Sequence, residues 1–140
     1  MLRLKLSAPY EQVYVCISLE NPSTGQKLTI DAKVDTGAAV TVIPKSVADG
    51  LGLPSLGSCG FTMVDGSPLM TEAQMCRLSF SDEDTIDTPI YVCDSESGVA
   101  LLGMDVLRLC NFAQWHEWSG DEHSVCFEME LISEEAILMM

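Results

Sequence analysis

Residues 33–44, Lys-Val-Asp-Thr-Gly-Ala-Ala-Val-Thr-Val-Ile-Pro, constrain this chain more than any other stretch. Asp and Gly are ordinary turn residues, and a tripeptide such as Asp35-Thr36-Gly37 is expected by chance in on the order of a few per cent of chains this long. The flanks give it weight. Leu28, Ile30, Ala32 and Val34 alternate into the turn, and Val40, Val42 and Ile43 leave it, so the Asp35 carboxylate sits where packing favours an apolar side chain. A carboxylate placed there reads as chemistry rather than as a plain turn.

A second signal lies downstream at Ala100-Leu101-Leu102-Gly103-Met104-Asp105-Val106-Leu107, where two aliphatics precede a Gly and a short helical pattern follows. Together the two stretches resemble the retropepsin-like (retroviral-type) aspartic proteases. Each subunit of that family carries one hydrophobic-Asp-Thr-Gly-Ala turn and, later, one hydrophobic-hydrophobic-Gly motif leading into a helix. Both parts occur here in the family's order. The pattern covers residues 13–131, and its specificity lies in the two motifs. The resemblance implies an all-β fold, a retropepsin-like acid protease half-barrel with one or two short helices, in a single domain of residues 1–140.

Composition sets compatible bounds. A chain of 140 residues makes one domain with a real core but is small for a two-lobed cleft, whereas half an active site fits. Seven Lys+Arg against 21 Asp+Glu give a formal charge of −14, which repels a phosphate backbone, so nucleic acid is not an expected partner. The cysteines Cys16, Cys59, Cys76, Cys93, Cys110 and Cys126 form no Cys-x-x-Cys pair, and most sit in apolar surroundings that suit buried free thiols. The start, Met1-Leu2-Arg3-Leu4-Lys5-Leu6, alternates charge with Leu instead of forming the apolar core of a signal peptide. No run approaches the roughly 18 apolar residues of a membrane span, so no membrane partner is expected. A reducing cytoplasm is the simplest compartment, although an even cysteine count leaves disulfides open.

Along the chain, Leu2, Leu4 and Leu6 face one side of an extended segment, with Arg3 and Lys5 on the other, which predicts an edge strand. Val13, Val15, Ile17 and Leu19 alternate, the turn formers Asn21-Pro22-Ser23-Thr24-Gly25 follow, and residues 27–34 return with the same period. That is a hairpin delivering Asp35. Residues 45–51 predict one or two helical turns ended by Gly50, and residues 52–60, rich in Gly, Pro and Ser, read as loop. Between Phe61 and Leu69, Asp65-Gly66 lies between strand-like arms, a hairpin signal. The apolar phase then changes before Phe80, which predicts a bulge or bend near Cys76. The acidic residues 81–87 read as a solvated turn, residues 89–93 as a strand, and residues 112–131 as a closing hairpin. His116 and His123, seven residues apart across that last turn, are expected at the surface rather than as ligands or bases. No Gly-x-Ser-x-Gly elbow or metal-binding set is present, so serine, cysteine and metal hydrolysis lack their parts.

Peptide hydrolysis by carboxylates needs two of them around one water, and each chain has one Asp-Thr-Gly. A two-fold homodimer that faces two Asp35 carboxylates is the economical answer. The resemblance implies that Asp35 is catalytic and that Thr36 interlocks the two turns across the axis. Gly37 would let backbone approach, Ala38 would leave room for a substrate strand, and Leu101, Leu102 and Gly103 would pack beneath the Asp35 loop. Val64, Asp65 and Gly66 would belong to a flap closing over a peptide or protein substrate, with no cofactor and no metal. Many retroviral relatives brace this region with an Asp two residues after the motif Gly and an Arg directly after the later Gly. Here those positions are Ala39 and Met104, which predicts a hydrophobic replacement. The terminal segments, with Arg3 and Lys5 at one end and Glu134 and Glu135 at the other, are expected to pair and to bury Ile137, Leu138 and Met139. Two other readings compete: a catalytically inactive retropepsin-like dimerisation or peptide-binding module, and a β-barrel adaptor in which Asp35 is a structural turn residue. Intact Asp35, Thr36 and Gly37 favour the enzyme, because a pure binding module does not need a carboxylate at the dimer axis.

Overall fold

A computed structural model describes residues 1–7, 12–62, 65–93 and 99–133. Alternation dictates the first hairpin. Val13, Val15, Ile17 and Leu19 are buried while Tyr14 and Cys16 are exposed, and β2 (Tyr14–Glu20) pairs antiparallel with β3 (Lys27–Val34). Its turn is anchored by Asn21, which is buried. The Asn21 amide donates to the Leu51 and Gly52 carbonyls at 2.9 and 3.0 Å, and its oxygen accepts the Ser23 N–H at 2.9 Å.

β3 runs parallel to β8 (Ala100–Leu102), whose other side meets β4 (Val42–Pro44) at Val42 opposite Leu101. From β4 the sheet passes through β7 (Thr85–Cys93) and β6 (Pro68–Ser79), and the end of β6 returns to β2 with Ser18 opposite Ser79. Six strands therefore close into a ring in the order β2-β3-β8-β4-β7-β6. Ile17, Leu19, Ile43, Leu78, Ile90 and Leu102 form its fully buried core.

The long β6 explains the change of apolar phase. Its first half pairs with β5 (Ser55–Thr62) and is mostly exposed, and its second half joins the ring, where Cys76 and Leu78 are buried. Register with β7 is unbroken from Ala73–Tyr91 to Ser79–Thr85, so the bulge expected at Cys76 is absent. The irregularity lies on the neighbouring strand between Ser55 and Gly57, where Gly57 has φ 101°. Residues 55–60 are strand rather than loop, because pairing with β6 overrides their Gly- and Ser-rich composition. The helix α1 (Lys45–Leu51) ends at Gly52 rather than Gly50. Gly52, at φ 59°, takes the left-handed cap conformation, and its N–H reaches the Ala48 carbonyl at 3.0 Å.

A second sheet has the order β1 (Leu2–Ser7), β10 (Glu122–Leu131), β9 (Cys110–Ser119). Leu2, Leu4 and Leu6 stand opposite Met129, Phe127 and Val125, an apolar face whose Leu2 and Leu4 pack on the same core as the ring. The acidic turn is only partly solvated. Asp84 is buried, and its carboxylate receives the Met1 α-ammonium at 2.8 Å, the Leu131 N–H at 3.0 Å and the Ser81 hydroxyl at 2.5 Å. This contact pins the start of β1 and the end of β10 to the ring, and β7 begins at Thr85, earlier than its apolar run suggests. Glu134, Glu135, Ile137, Leu138 and Met139 lie outside the described residues, and β1 is paired within its own chain. Of the cysteines, Cys76, Cys110 and Cys126 are buried. Among the described residues no helix is long and apolar enough to cross a membrane.

Candidate active site

Asp35 continues the β3–β8 ladder one step beyond the pair Val34–Leu102, its N–H donating to the Leu102 carbonyl at 3.0 Å. The chain then turns back on the side chain. The Gly37 N–H donates to Asp35 Oδ1 at 3.0 Å, and the Ala38 N–H to the Asp35 carbonyl at 3.1 Å. This local bond is the turn chemistry that short Asp side chains offer, here used to orient the carboxylate. Oδ2 has no partner among the described residues, and the side chain is half-buried. One oxygen is held and one is presented.

The loop rests on the downstream motif. Gly103 is buried so tightly that a Cβ there would stand 2.3 Å from the Val40 carbonyl oxygen. Just beyond it, α2 (Met104–Leu107) opens with free N–H groups that the loop satisfies: Met104 donates to the Ala38 carbonyl at 2.8 Å and Asp105 to the Ala39 carbonyl at 3.1 Å. The Asp105 carboxylate reaches back, accepting the Thr41 hydroxyl at 2.7 Å and the Thr41 N–H at 3.0 Å. Thr41 Oγ1 in turn accepts the Gly103 N–H at 3.1 Å, and Thr41 is fully buried. Two segments 62 residues apart are thereby locked into one hydrogen-bonded unit.

A model of the family described as gag-polyprotein putative aspartyl protease matches residues 24–109, which contain both halves of this unit. The chain belongs to that family. Solved structures with its fold include the following two. The EIAV protease complexed with the inhibitor HBY-793 is 20% identical, covers 72% of this chain and 92% of its own, and superposes with a TM-score of 0.55. A retropepsin-like aspartic protease from Rickettsia conorii is 14% identical, with 91% and 92% coverage and a TM-score of 0.51. No curated protein matches the chain. The architecture is thus the retropepsin-like one that the two motifs implied, mostly strands with two short helices among the described residues.

In this aspartyl protease frame the brace at Ala39 and Met104 is not a hydrophobic replacement. Ala39 is exposed and contributes its carbonyl, Met104 packs against the core, and the bracing charge sits one residue later at Asp105. Reading the sequence did not single out Asp105 or Thr41. The available signal was an Asp in the first turn of a helix and a Thr inside an apolar run, each ordinary alone. Leu102 is fully buried beneath the loop, while Leu101 is half-buried and lies between Lys33 and Val42. Thr36 is exposed and its side chain makes no bond among the described residues.

The hairpin of β5 and β6 carries Asp65 and Gly66 at its turn, and Val64 lies outside the described residues. Gly66 has φ 85°, and Asp65 Oδ1 accepts both the hydroxyl and the N–H of Ser67, which hold the carboxyl below its usual range. The arms are tied to the ring next to the loop. Phe61 meets Tyr91 edge-on at 5.1 Å, the Thr71 hydroxyl donates to the Val92 carbonyl, and the Tyr91 N–H donates to the Thr41 carbonyl at 3.0 Å. Burial pushes the Tyr91 phenol up, with Cys59 and Asp105 nearby adding to the shift. His116 and His123 lie on the hairpin of β9 and β10, in contact with each other at 2.6 Å.

Proposed function

We propose that this chain is an aspartic endopeptidase, active as a homodimer that hydrolyses peptide bonds through a water activated by two Asp35 carboxylates. The observation that carries the reading is the held and presented carboxylate: Oδ1 fixed by Gly37, Oδ2 open, and the whole turn clamped by Gly103, Asp105 and Thr41. A single chain supplies one such group.

Across a two-fold axis the two carboxylates lie close enough to share one proton, since both do not ionise readily side by side. The ionised member removes a proton from the water as the water oxygen bonds to the scissile carbonyl carbon. The protonated member hydrogen-bonds the carbonyl oxygen and then transfers its proton to it. Collapse of the tetrahedral diol breaks the C–N bond, with one proton passing to the leaving nitrogen and one returning to the pair. Thr36, exposed and unbonded, leaves its hydroxyl for the opposing turn, and Ala38 keeps the floor shallow for an extended substrate strand. Leu101, Leu102 and Gly103 support the floor, and Asp65 and Gly66 close from above.

The test is cleavage of an unfolded protein substrate by wild type and Asp35→Asn over about pH 4 to 7, with sedimentation alongside. The expected outcome is cleavage by wild type and none by Asp35→Asn, with the dimer intact in both. A folded wild-type dimer that cleaves nothing would favour the binding module instead.

A further inference from the structure

We propose that Lys33 is a specificity residue: its ammonium, on the wall beside Asp35, selects peptide substrates that carry a glutamate at a position flanking the bond to be cleaved. This rests on the protease reading above and names a substrate class for that same site.

Alternation puts Lys33 and Asp35 on the same side of β3, since Asp35 extends the ladder of that strand by one residue. That side is the outer face of the ring. Lys27, Thr29 and Asp31, earlier along it, are exposed, whereas Ala32, on the opposite side, is in the core. At Lys33 the outer face becomes half-buried. Ladder partners share a side, so the register carries the row from Lys33 to Leu101, from Leu101 to Val42, and from Val42 to Tyr91. Each of these side chains is half-buried, and Phe61 of the hairpin meets Tyr91 edge-on. The row is an apolar wall that runs from the Asp35 turn to the hairpin, with an ammonium at its Asp35 end.

The ammonium is uncommitted. Arg3, Lys5, Lys45 and Arg77 are each in an ion pair with an acidic side chain. Lys33 has no ion pair or hydrogen bond among the described residues, although Asp31 and Asp35 stand on either side of it along the same face of the strand. A half-buried Lys lays its methylenes on apolar neighbours and keeps its charge at the rim. The side chain that complements this wall has an apolar stem for Leu101 and Val42 and a negative end for Lys33, which is the chemistry of glutamate. Selection has to come from contact, because a chain of −14 repels an acidic peptide at long range. A peptide strand laid over the wall excludes water from the pair and strengthens it relative to an exposed ion pair.

The test uses a pool of unstructured synthetic peptides in which each position is varied among Glu, Gln, Leu and Lys, with cleavage sites mapped by mass spectrometry. The full chain is compared as wild type, Lys33→Met, Lys33→Glu and Lys27→Met, the last removing a charge from the exposed start of the same strand. Wild type is expected to cleave peptides with Glu at one flanking position at least about fivefold faster, as kcat/KM, than the same peptides with Gln. Lys33→Met should abolish that difference, Lys33→Glu should favour Lys over Gln at the same position, and Lys27→Met should keep the wild-type ratio within about twofold. A lysine that only supports the fold would not turn the preference from acidic to basic. Absence of a Glu preference in wild type, or its survival in Lys33→Met, would overturn the proposal. Fluorescence anisotropy of labelled peptides on Asp35→Asn, with and without Lys33→Met, separates the two readings. Glu-selective binding that needs Lys33, without wild-type cleavage, keeps the wall and removes the protease, and Asp35-dependent cleavage indifferent to Glu does the reverse. Neither cleavage nor binding of any peptide overturns both.

Discussion

Glycine is required at two positions around Asp35, for different reasons. At Gly37 a Cβ would lie 3.2 Å from Asp35 Oδ1, the atom that the Gly37 N–H holds, and the obstacle is a side-chain oxygen that can shift. Gly37→Ala is therefore expected to fold and melt close to wild type while cleavage falls by about 10- to 100-fold, the scale of a small misplacement of a reacting group. At Gly103 the obstacle is the Val40 backbone at 2.3 Å, which cannot rotate aside. Gly103→Ala should cost at least about 1–3 kcal/mol in a denaturant melt, and an unchanged midpoint would mean that the close approach is not real. Asp105, in the first turn of α2, bonds Thr41 at the end of the same loop. Asp105→Ala leaves the buried Thr41 N–H without its acceptor, at about 1–3 kcal/mol, and should lower kcat more than it alters KM. Asp105→Asn keeps one acceptor oxygen and should recover part of both losses.

At the scale of elements, the three-stranded sheet is tied to the ring through Asp84. Burial pushes its carboxyl up, but the Met1 ammonium, the Ser81 hydroxyl and the Leu131 N–H outweigh that, and the folded-state value is lowered from 3.8. A carboxyl that is more acidic when folded stabilises above its unfolded value, and that contribution is lost as pH falls through the lower folded one. Asp84→Asn is expected to cost about 1.5–3 kcal/mol near pH 6, the range for hydrogen bonds to a charged group. The gap from wild type should narrow as pH falls below the unfolded value of 3.8 and on through the lower folded one; a gap that does not narrow would show that charge is not the source. The sign reverses for the Met1 amine, raised from 8.0, whose contribution is present below that value and fades as pH rises through the folded one. This tie was hidden in the sequence. Asp84 sits in a run of acidic residues of which most are exposed, and only the approach of Met1 and Leu131, distant in sequence, sets it apart.

For the whole molecule, association has to overcome charge. Two copies bring −14 each, and screening shortens the reach of that repulsion to about 10 Å at 0.1 M salt. The dimer of wild type is expected to tighten as salt rises from about 20 to 500 mM, with cleavage per mole of chain at low protein concentration rising in step. Salt-independent sedimentation would show that the contact is set by apolar burial alone. The thiols add no constraint of their own: burial pushes Cys110 up to about 12 and Cys76 to about 11, which keeps both protonated and unreactive at neutral pH.

The alternation of apolar residues and the two short motifs determined the family, the strand-rich fold and the place of Asp35, because period-two burial and a Gly forced by close contact are local demands that leave local marks. The tertiary structure alone decided what Thr41, Asp105, Asn21 and Asp84 do, since each acquires its role from a partner 30 or more residues away. It also made a strand of residues 55–60, whose backbone pairing leaves no trace in side-chain pattern. It opened β9 as well: Phe112 and Trp118 alternate like core residues, and only the sheet order shows that nothing in the described chain covers them.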